Sequence, residues 1–136
     1  MEVRVRKYNE ADFCDVNNVL EESFGISKKS NSVNKEHIEL VACVGRKVVG
    51  YLLLTSVFDP IISNNYFLID YVCVKDEFRN KKIGYLLVNK AIDIARDNGG
   101  SYIQLTSSRF REAAHKLYEN CGFIVRNSDI FRKELL

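Results

Sequence analysis

Three cations crowd the segment Arg79-Asn80-Lys81-Lys82-Ile83-Gly84 of this 136-residue chain, between an apolar strand expected over Leu68 to Val74 and a helix running to about Asp97. Cations at the positive end of a helix dipole each forfeit roughly 0.3–1 kcal/mol, so the cluster makes sense when it faces a multiply charged anion held by the free N–H groups of the first turn. A pyrophosphate suits that arrangement. A solvated basic turn is the plainer alternative.

A second polar group, Ser107, Ser108, Arg109 and Arg111, falls between a strand end and a helix start. By the same physics it would favour an anionic group on a substrate, against the alternative of a capped helix with solvated arginines. Cys14, Cys43, Cys73 and Cys121 are widely separated, and His37 and His115 are the only imidazoles. That pattern is neither a disulfide framework nor a zinc site, so buried thiols and no metal are expected. Cys73 stands out only because it lies in the strand that leads into the basic turn.

With 46% hydrophobic residues, the chain can build one substantial core, and a single domain over residues 1–136 is expected. A net charge of +2, from 20 basic and 18 acidic residues, does not suggest a nucleic-acid or membrane binder. Met1-Glu2-Val3-Arg4 lacks the apolar centre of a signal peptide and no apolar run reaches membrane-spanning length, so a cytoplasmic location is expected.

The elements that must position these residues follow from periodicity. Val3 to Arg6 alternates as a first strand. Asn9 with Asp12 gives a capping-box start to a helix whose stripe is Phe13, Val16, Val19, Leu20 and Phe24, ended by Gly25. Lys28 to Lys35 is a polar loop of the kind that meets substrates. Ile38 to Val44 and Lys47 to Val57 are strands around a Gly45-Arg46 hairpin turn, and Pro60 interrupts the passage to the next strand. Ile83, Leu87, Ala91 and Ile94 recur at helical spacing before Gly99-Gly100. Ser101 to Thr106 is a further strand. Ser108 caps a helix with Phe110, Ala113, Ala114, Leu117, Tyr118 and Cys121 on its apolar face, and Gly122 ends it. Two last strands are expected near Phe123 to Arg126 and Ile130 to Glu134. The order β, α, β, β, β, α, β, α, β, β describes a mixed sheet sandwiched by helices.

Strand, basic turn and helix together resemble the acetyl-CoA motif of the GCN5-related N-acetyltransferase (GNAT) superfamily. Arg79 and Gly84 match its pattern, and Lys82 stands where its first glycine is expected. Ala113-Ala114-His115-Lys116-Leu117-Tyr118 followed by Gly122-Phe123 is similar to the second family signature, and Arg111 occupies the place of an asparagine that often contacts the pantetheine. Leu105-Thr106-Ser107-Ser108-Arg109 and Phe131-Arg132-Lys133 share a flavour with small-amine members of the aminoalkylphosphonate type.

The resemblance implies the GNAT acyl-CoA acyltransferase fold, an α/β (α+β) arrangement with a mostly antiparallel central sheet flanked by helices. It also implies an acetyl-CoA-dependent N-acetyltransferase that moves the acetyl group to a primary amine directly in a ternary complex. Arg79, Asn80, Lys81, Lys82, Ile83 and Gly84 would hold the pyrophosphate, and Val72, Cys73 and Val74 would pair with the pantetheine through the main chain. A backbone N–H there could also stabilise the developing oxyanion. An amine of pKa ~10.4 is protonated at neutral pH and must lose a proton before attack, so Asp70, assigned to the same face as Val72 and Val74, is the expected base. A surface aspartate with local hydrogen bonds is its alternative. Tyr118, which in the family points toward the cofactor sulfur, would serve the leaving thiolate, with a core tyrosine as alternative. His115 falls on the polar face of its helix. The acceptor is expected to be a small molecule rather than a protein, and a homodimer is compatible with the sequence. A non-catalytic acetyl-CoA-binding regulatory module stays open, as does, less well supported, a nucleic-acid-binding domain.

Overall fold

The computed structural model describes residues 1–31 and 34–136; Ser32 and Val33, inside the expected substrate loop, lie outside the described residues. Strand β1 (Val3–Lys7) leads through a 3-10 turn (Glu10–Asp12) into α1 (Phe13–Phe24). The capping box forms as the sequence demands. Asn9 accepts from the Ala11 N–H, and Asp12 accepts from the Asn9 N–H at 2.9 Å while taking two bonds from the Arg6 guanidinium at 2.7 and 2.8 Å. That bidentate partner holds the buried Asp12 carboxyl below its ordinary range. Gly25 ends the helix in the left-handed conformation, where a missing Cβ removes the penalty.

Strands β2 (His37–Val44), β3 (Lys47–Asp59) and β4 (Asn64–Val74) form an antiparallel meander, and β4 then leads to α2 (Ile83–Asp97). Strand β5 (Ile103–Leu105) returns parallel to β4, and α3 (Glu112–Asn120) follows. The described residues therefore contain a five-stranded sheet in the order β1-β2-β3-β4-β5.

Both faces of this sheet are covered, which is why its middle strands read as nearly continuous apolar runs. Leu40, Ala42, Val49, Leu52, Leu54, Phe67 and Ile69 pack beneath Ile83, Leu87, Val88, Ala91 and Ala95 of α2. On the other face, Val41, Cys43, Val48, Tyr51 and Cys73 meet Val16, Val19 and Leu20 of α1. Helix α3 joins the α2 side through Leu117, Tyr118 and Cys121. Each large side chain fully buried in these layers is worth about 1.5–3 kcal/mol.

One close approach limits the chain after α2. A Cβ on Gly100 would sit 2.7 Å from the buried Phe67 ring and 3.0 Å from the Ala95 carbonyl oxygen. Gly100→Ala is expected to destabilise the fold by about 1–3 kcal/mol. Thermal unfolding would show a melting temperature lowered by several degrees; an unchanged value would mean that the ring and the helix end give way freely.

Two expectations about the C-terminal third are corrected. Helix α3 begins at Glu112 rather than at a Ser108 cap, because Ser108 is used in a preceding turn: its hydroxyl faces the Phe110 N–H at 3.4 Å and its carbonyl meets His115 Nε2 at 2.8 Å. Phe110 is consequently exposed and off the apolar stripe. The strands expected at Phe123 to Arg126 and Ile130 to Glu134 do not form among the described residues. Alternating residues become a strand only against a partner, and here the tail lies off the sheet, with Ile124, Ile130 and Phe131 exposed and Asp129 drawn to Arg109 at 2.9 Å.

The feature that opens a site is a bulge in β4. Tyr51 pairs with Cys73 and Leu53 with Asp70, so Tyr71 and Val72 together oppose the single residue Leu52. Tyr71 absorbs the extra length with φ 56°, an uncommon backbone for a bulky side chain. The inserted residue also reverses the side-chain phase. Phe67 and Ile69 point to α2 before the bulge, and Val72 and Val74 pack on that side after it, while Cys73 turns to α1. Asp70, in register with Leu53 on the α1 side, thus lies on the face opposite Val72 and Val74, which corrects the shared face inferred from simple alternation.

Candidate active site

Pairing between β4 and β5 runs from Phe67 with Ile103 to Ile69 with Leu105 and stops just before the bulge. From there to Val74 the edge of β4 is left without a strand partner among the described residues, and a cleft of about 700 Å³ opens beside it. Val72, Cys73 and Val74 form one wall, the loop and first turn of α2 supply Arg79, Asn80, Lys82, Ile83 and Gly84, and α3 supplies Arg111, Leu117 and Tyr118. The backbone N–H and C=O groups of an unpaired strand edge are ready to bond an extended ligand.

The end of the cleft at α2 suits an anion. No side chain caps α2 among the described residues, and its first turn contains no acidic residue. The first bond of the helix runs from the Leu86 N–H to the Lys82 carbonyl, which leaves the N–H groups of Ile83, Gly84 and Tyr85 without helical acceptors. Asn80 and Lys82 both take left-handed backbone, with φ of 61° and 63°. Lys82 therefore adopts the conformation that a glycine would take freely, and the loop keeps the shape although the residue differs. Arg79 is steadied by Asp76 at 3.0 Å and by the Val74 carbonyl at 3.3 Å. Orphan amides, Arg79 and Lys82 around one opening are the donor set that a pyrophosphate requires.

Tyr118 stands on α3 with its ring edge-to-face on Phe123 at 6.1 Å between centroids. Its hydroxyl has no hydrogen-bond partner among the described residues. Burial pushes that hydroxyl up, against the opposing pull of Arg111, so it keeps its proton at neutral pH. Burial likewise pushes the Cys73 thiol up to about 12, which leaves almost no thiolate to act as a nucleophile.

A second cavity, of about 450 Å³, lies on the α1 face of the sheet. Its wall is formed by Leu20 of α1, the Ile26 to Ser30 stretch, His37 and Glu39 of β2, Tyr51 and Leu53 of β3, and Tyr71 of β4. Glu39 pairs with Lys28 and accepts the Tyr51 hydroxyl at 2.5 Å. Neighbouring residues of the bulge line the two cavities, Tyr71 one and Val72 the other, and on α1 Leu20 and Ser23 divide in the same way.

The sequence profile of the acetyltransferase (GNAT) family matches residues 6–123. The chain belongs to this family. A stretch of 77 residues is 32% identical to human N-acetyltransferase 8B, covering 57% of this chain and 34% of that protein. The chain thus spans 34% of the length of the curated relatives it matches, the rat N-acetyltransferase family 8 member 3 included. Among solved structures, a putative acetyltransferase from Agrobacterium tumefaciens superposes with a TM-score of 0.86 at 18% identity, covering 96% of this chain and 99% of that one. A transcriptional regulator from Bacillus halodurans gives 0.85 at 25% identity, covering 98% and 100%. These likenesses establish the GNAT fold, a five-stranded, mostly antiparallel sheet flanked by helices.

Within this GNAT chain the structure gathers Val72, Cys73, Val74, Arg79, Asn80, Lys82, Ile83, Gly84, Arg111 and Tyr118 around one cleft. Lys81, although in the basic turn, is exposed and outside the lining. Ser107, Ser108, Arg109 and Asp70 line neither cavity, although Asp70 is in register with Leu53 of the second cavity's wall. Sequence reasoning missed Ser23, Glu39, Tyr51 and Tyr71. A charge inside the otherwise apolar run Ile38 to Val44 was the signal available for Glu39. No helix among the described residues is long and apolar enough to cross a membrane, and no group of His, Cys, Asp and Glu there could hold a metal ion.

Proposed function

We propose that this chain is an acetyl-CoA-dependent N-acetyltransferase that acetylates a primary amine by direct transfer in a ternary complex. The observation that carries the reading is a pair of cavities lined by the neighbouring residues Tyr71 and Val72, one suited to an extended pyrophosphate ligand and the other able to admit a small acceptor. When bound, acetyl-CoA supplies an activated acetyl thioester. Ile83, Gly84 and Tyr85 present amides to the pyrophosphate, Arg79 and Lys82 add charge, and the open edge from Val72 to Val74 aligns the pantetheine arm with main-chain bonds.

Proton movements fall to two side chains. Asp70, one strand spacing of ~4.8 Å from the Leu53 wall, accepts the amine proton directly or through water. Tyr118 Oη holds a proton for the departing sulfur. Direct transfer is supported by Cys73, the cysteine of the cleft wall, because burial keeps its thiol protonated and so disfavours attack on a thioester. The acceptor cavity, at about 450 Å³, suits a small molecule better than a folded protein surface.

The test is release of free CoA thiol from acetyl-CoA across a panel of amines. Amine-dependent release is expected, and Cys73→Ala should retain turnover within about tenfold while Asp70→Asn slows it by about 10²-fold or more. Tight acetyl-CoA binding without release on any amine would instead support a regulatory binding module. An acetylated Cys73 trapped in the wild type would overturn direct transfer.

A further inference from the structure

The titratable groups of the second cavity are unevenly placed. Lys28, Lys29, His37 and Glu39 all stand at the end formed by the α1–β2 connection and the start of β2. Glu39 contributes little free negative charge to that end, since the Lys28 ammonium and the Tyr51 hydroxyl already bond it. Lys28 is in turn fixed from three sides. Its ammonium lies 4.6 Å over the Tyr8 ring, and its backbone N–H donates to Asn17 Oδ1 at 2.7 Å. An ammonium has three donors, so Lys28 retains hydrogen-bonding capacity toward the cavity after meeting Glu39.

Beside it, Lys29 is exposed and makes no ion pair among the described residues. His37 Nδ1 is held by Thr55 Oγ1 at 3.0 Å, which orients the ring and leaves Nε2 for a ligand. At the opposite end the wall is formed by Leu53 and Tyr71, and Asp70, outside the lining, is the carboxylate of β4 in register with Leu53. Glu39 of β2 and Asp70 of β4 both register with Leu53 of β3, so two strand spacings of ~4.8 Å set their backbones about 10 Å apart.

Given the acetyltransferase reading, on which this rests, we propose that the acceptor is a small amine carrying a carboxylate or phosphate group two or three carbons from its nitrogen. The anionic group lies against Lys28, Lys29 and His37, and the amine points past Tyr71 toward Val72. A neutral amine leaves the cationic end unmatched. A diamine places a second ammonium against Lys29 and is repelled.

Calorimetric titration tests this without requiring turnover, using 2-aminoethyl phosphate, β-alanine, ethanolamine and 1,3-diaminopropane. The two anion-bearing amines are expected to bind at least about tenfold tighter than ethanolamine, a difference of ~1.4 kcal/mol. Lys29→Glu should abolish the preference, and Lys90→Glu, an equal charge reversal on exposed α2 surface, should preserve it. Equal or tighter binding of ethanolamine or the diamine, no binding of any of the four, or a preference that survives Lys29→Glu would overturn the proposal. CoA release measured with the same amines separates the two readings: preferential binding without release leaves the anion site standing and removes the acetyltransferase, whereas release without preference does the opposite.

Discussion

Tyr118→Phe is expected to lower CoA release by roughly 10–10⁴-fold while leaving the fold intact, because it removes one hydroxyl and keeps the ring. The ring accounts for the stability: it packs edge-to-face on Phe123 and against the α2-side core, contacts that phenylalanine reproduces. The hydroxyl bonds nothing among the described residues, so its loss leaves no partner stranded. Its value must then lie in what enters the cleft. With burial raising it above the ordinary tyrosine value of 10.0, the group stays protonated through the physiological range and can donate to sulfur there. Any alkaline fall in rate that depends on Tyr118 should accordingly begin above that value and vanish in the phenylalanine variant. Full turnover in a folded Tyr118→Phe protein would return the residue to a purely packing role.

The cofactor cleft was far more legible in the sequence than the acceptor cavity, and the reason is local geometry. Arg79 to Gly84 is contiguous, so strand, turn and helix dipole can be read from one short window, and Lys82 in left-handed backbone shows that the loop shape outlasts a change of residue. Tyr118 is placed by the resemblance of the passage from Ala113 to Phe123 to the family's second signature, since helical spacing alone would put it in the core. Asp70 shows where such reasoning stops. Alternation by two predicts its face only if the strand is regular, and the bulge at Tyr71 carries no glycine or proline to announce it. The acceptor cavity draws Lys28, Glu39, Tyr51 and Tyr71 from four separate elements, and only the sheet register brings them together. The missing final strands teach a related lesson, since strand pattern without an available partner edge leaves Ile130 and Phe131 in solvent.

Arg79→Ala should weaken acetyl-CoA binding by about 10–150-fold, the loss of roughly 1.5–3 kcal/mol for charge-assisted hydrogen bonds. The existing Arg79 to Asp76 pair does not argue against this, because both side chains are more than half exposed and such a pair is worth only about 0–1 kcal/mol. A pyrophosphate in the same place would outcompete it. Binding to the wild type should also fall more steeply with salt than binding to the variant, one cation having been removed. Lys82 separates side chain from backbone at the same site. Left-handed backbone costs a non-glycine residue roughly 1–2 kcal/mol, partly offset by the greater chain entropy that glycine loses on folding, about 0.5–1 kcal/mol. Lys82→Gly should therefore raise unfolding stability by up to about 1 kcal/mol and yet lower acetyl-CoA affinity if the ammonium reaches the phosphates. A stabilised variant with unchanged affinity would show that Lys82 supplies only loop shape. Unchanged affinity in both Arg79→Ala and Lys82→Gly would remove the pyrophosphate from this end of the cleft altogether, since the α2 amides alone would then have to account for all of the binding.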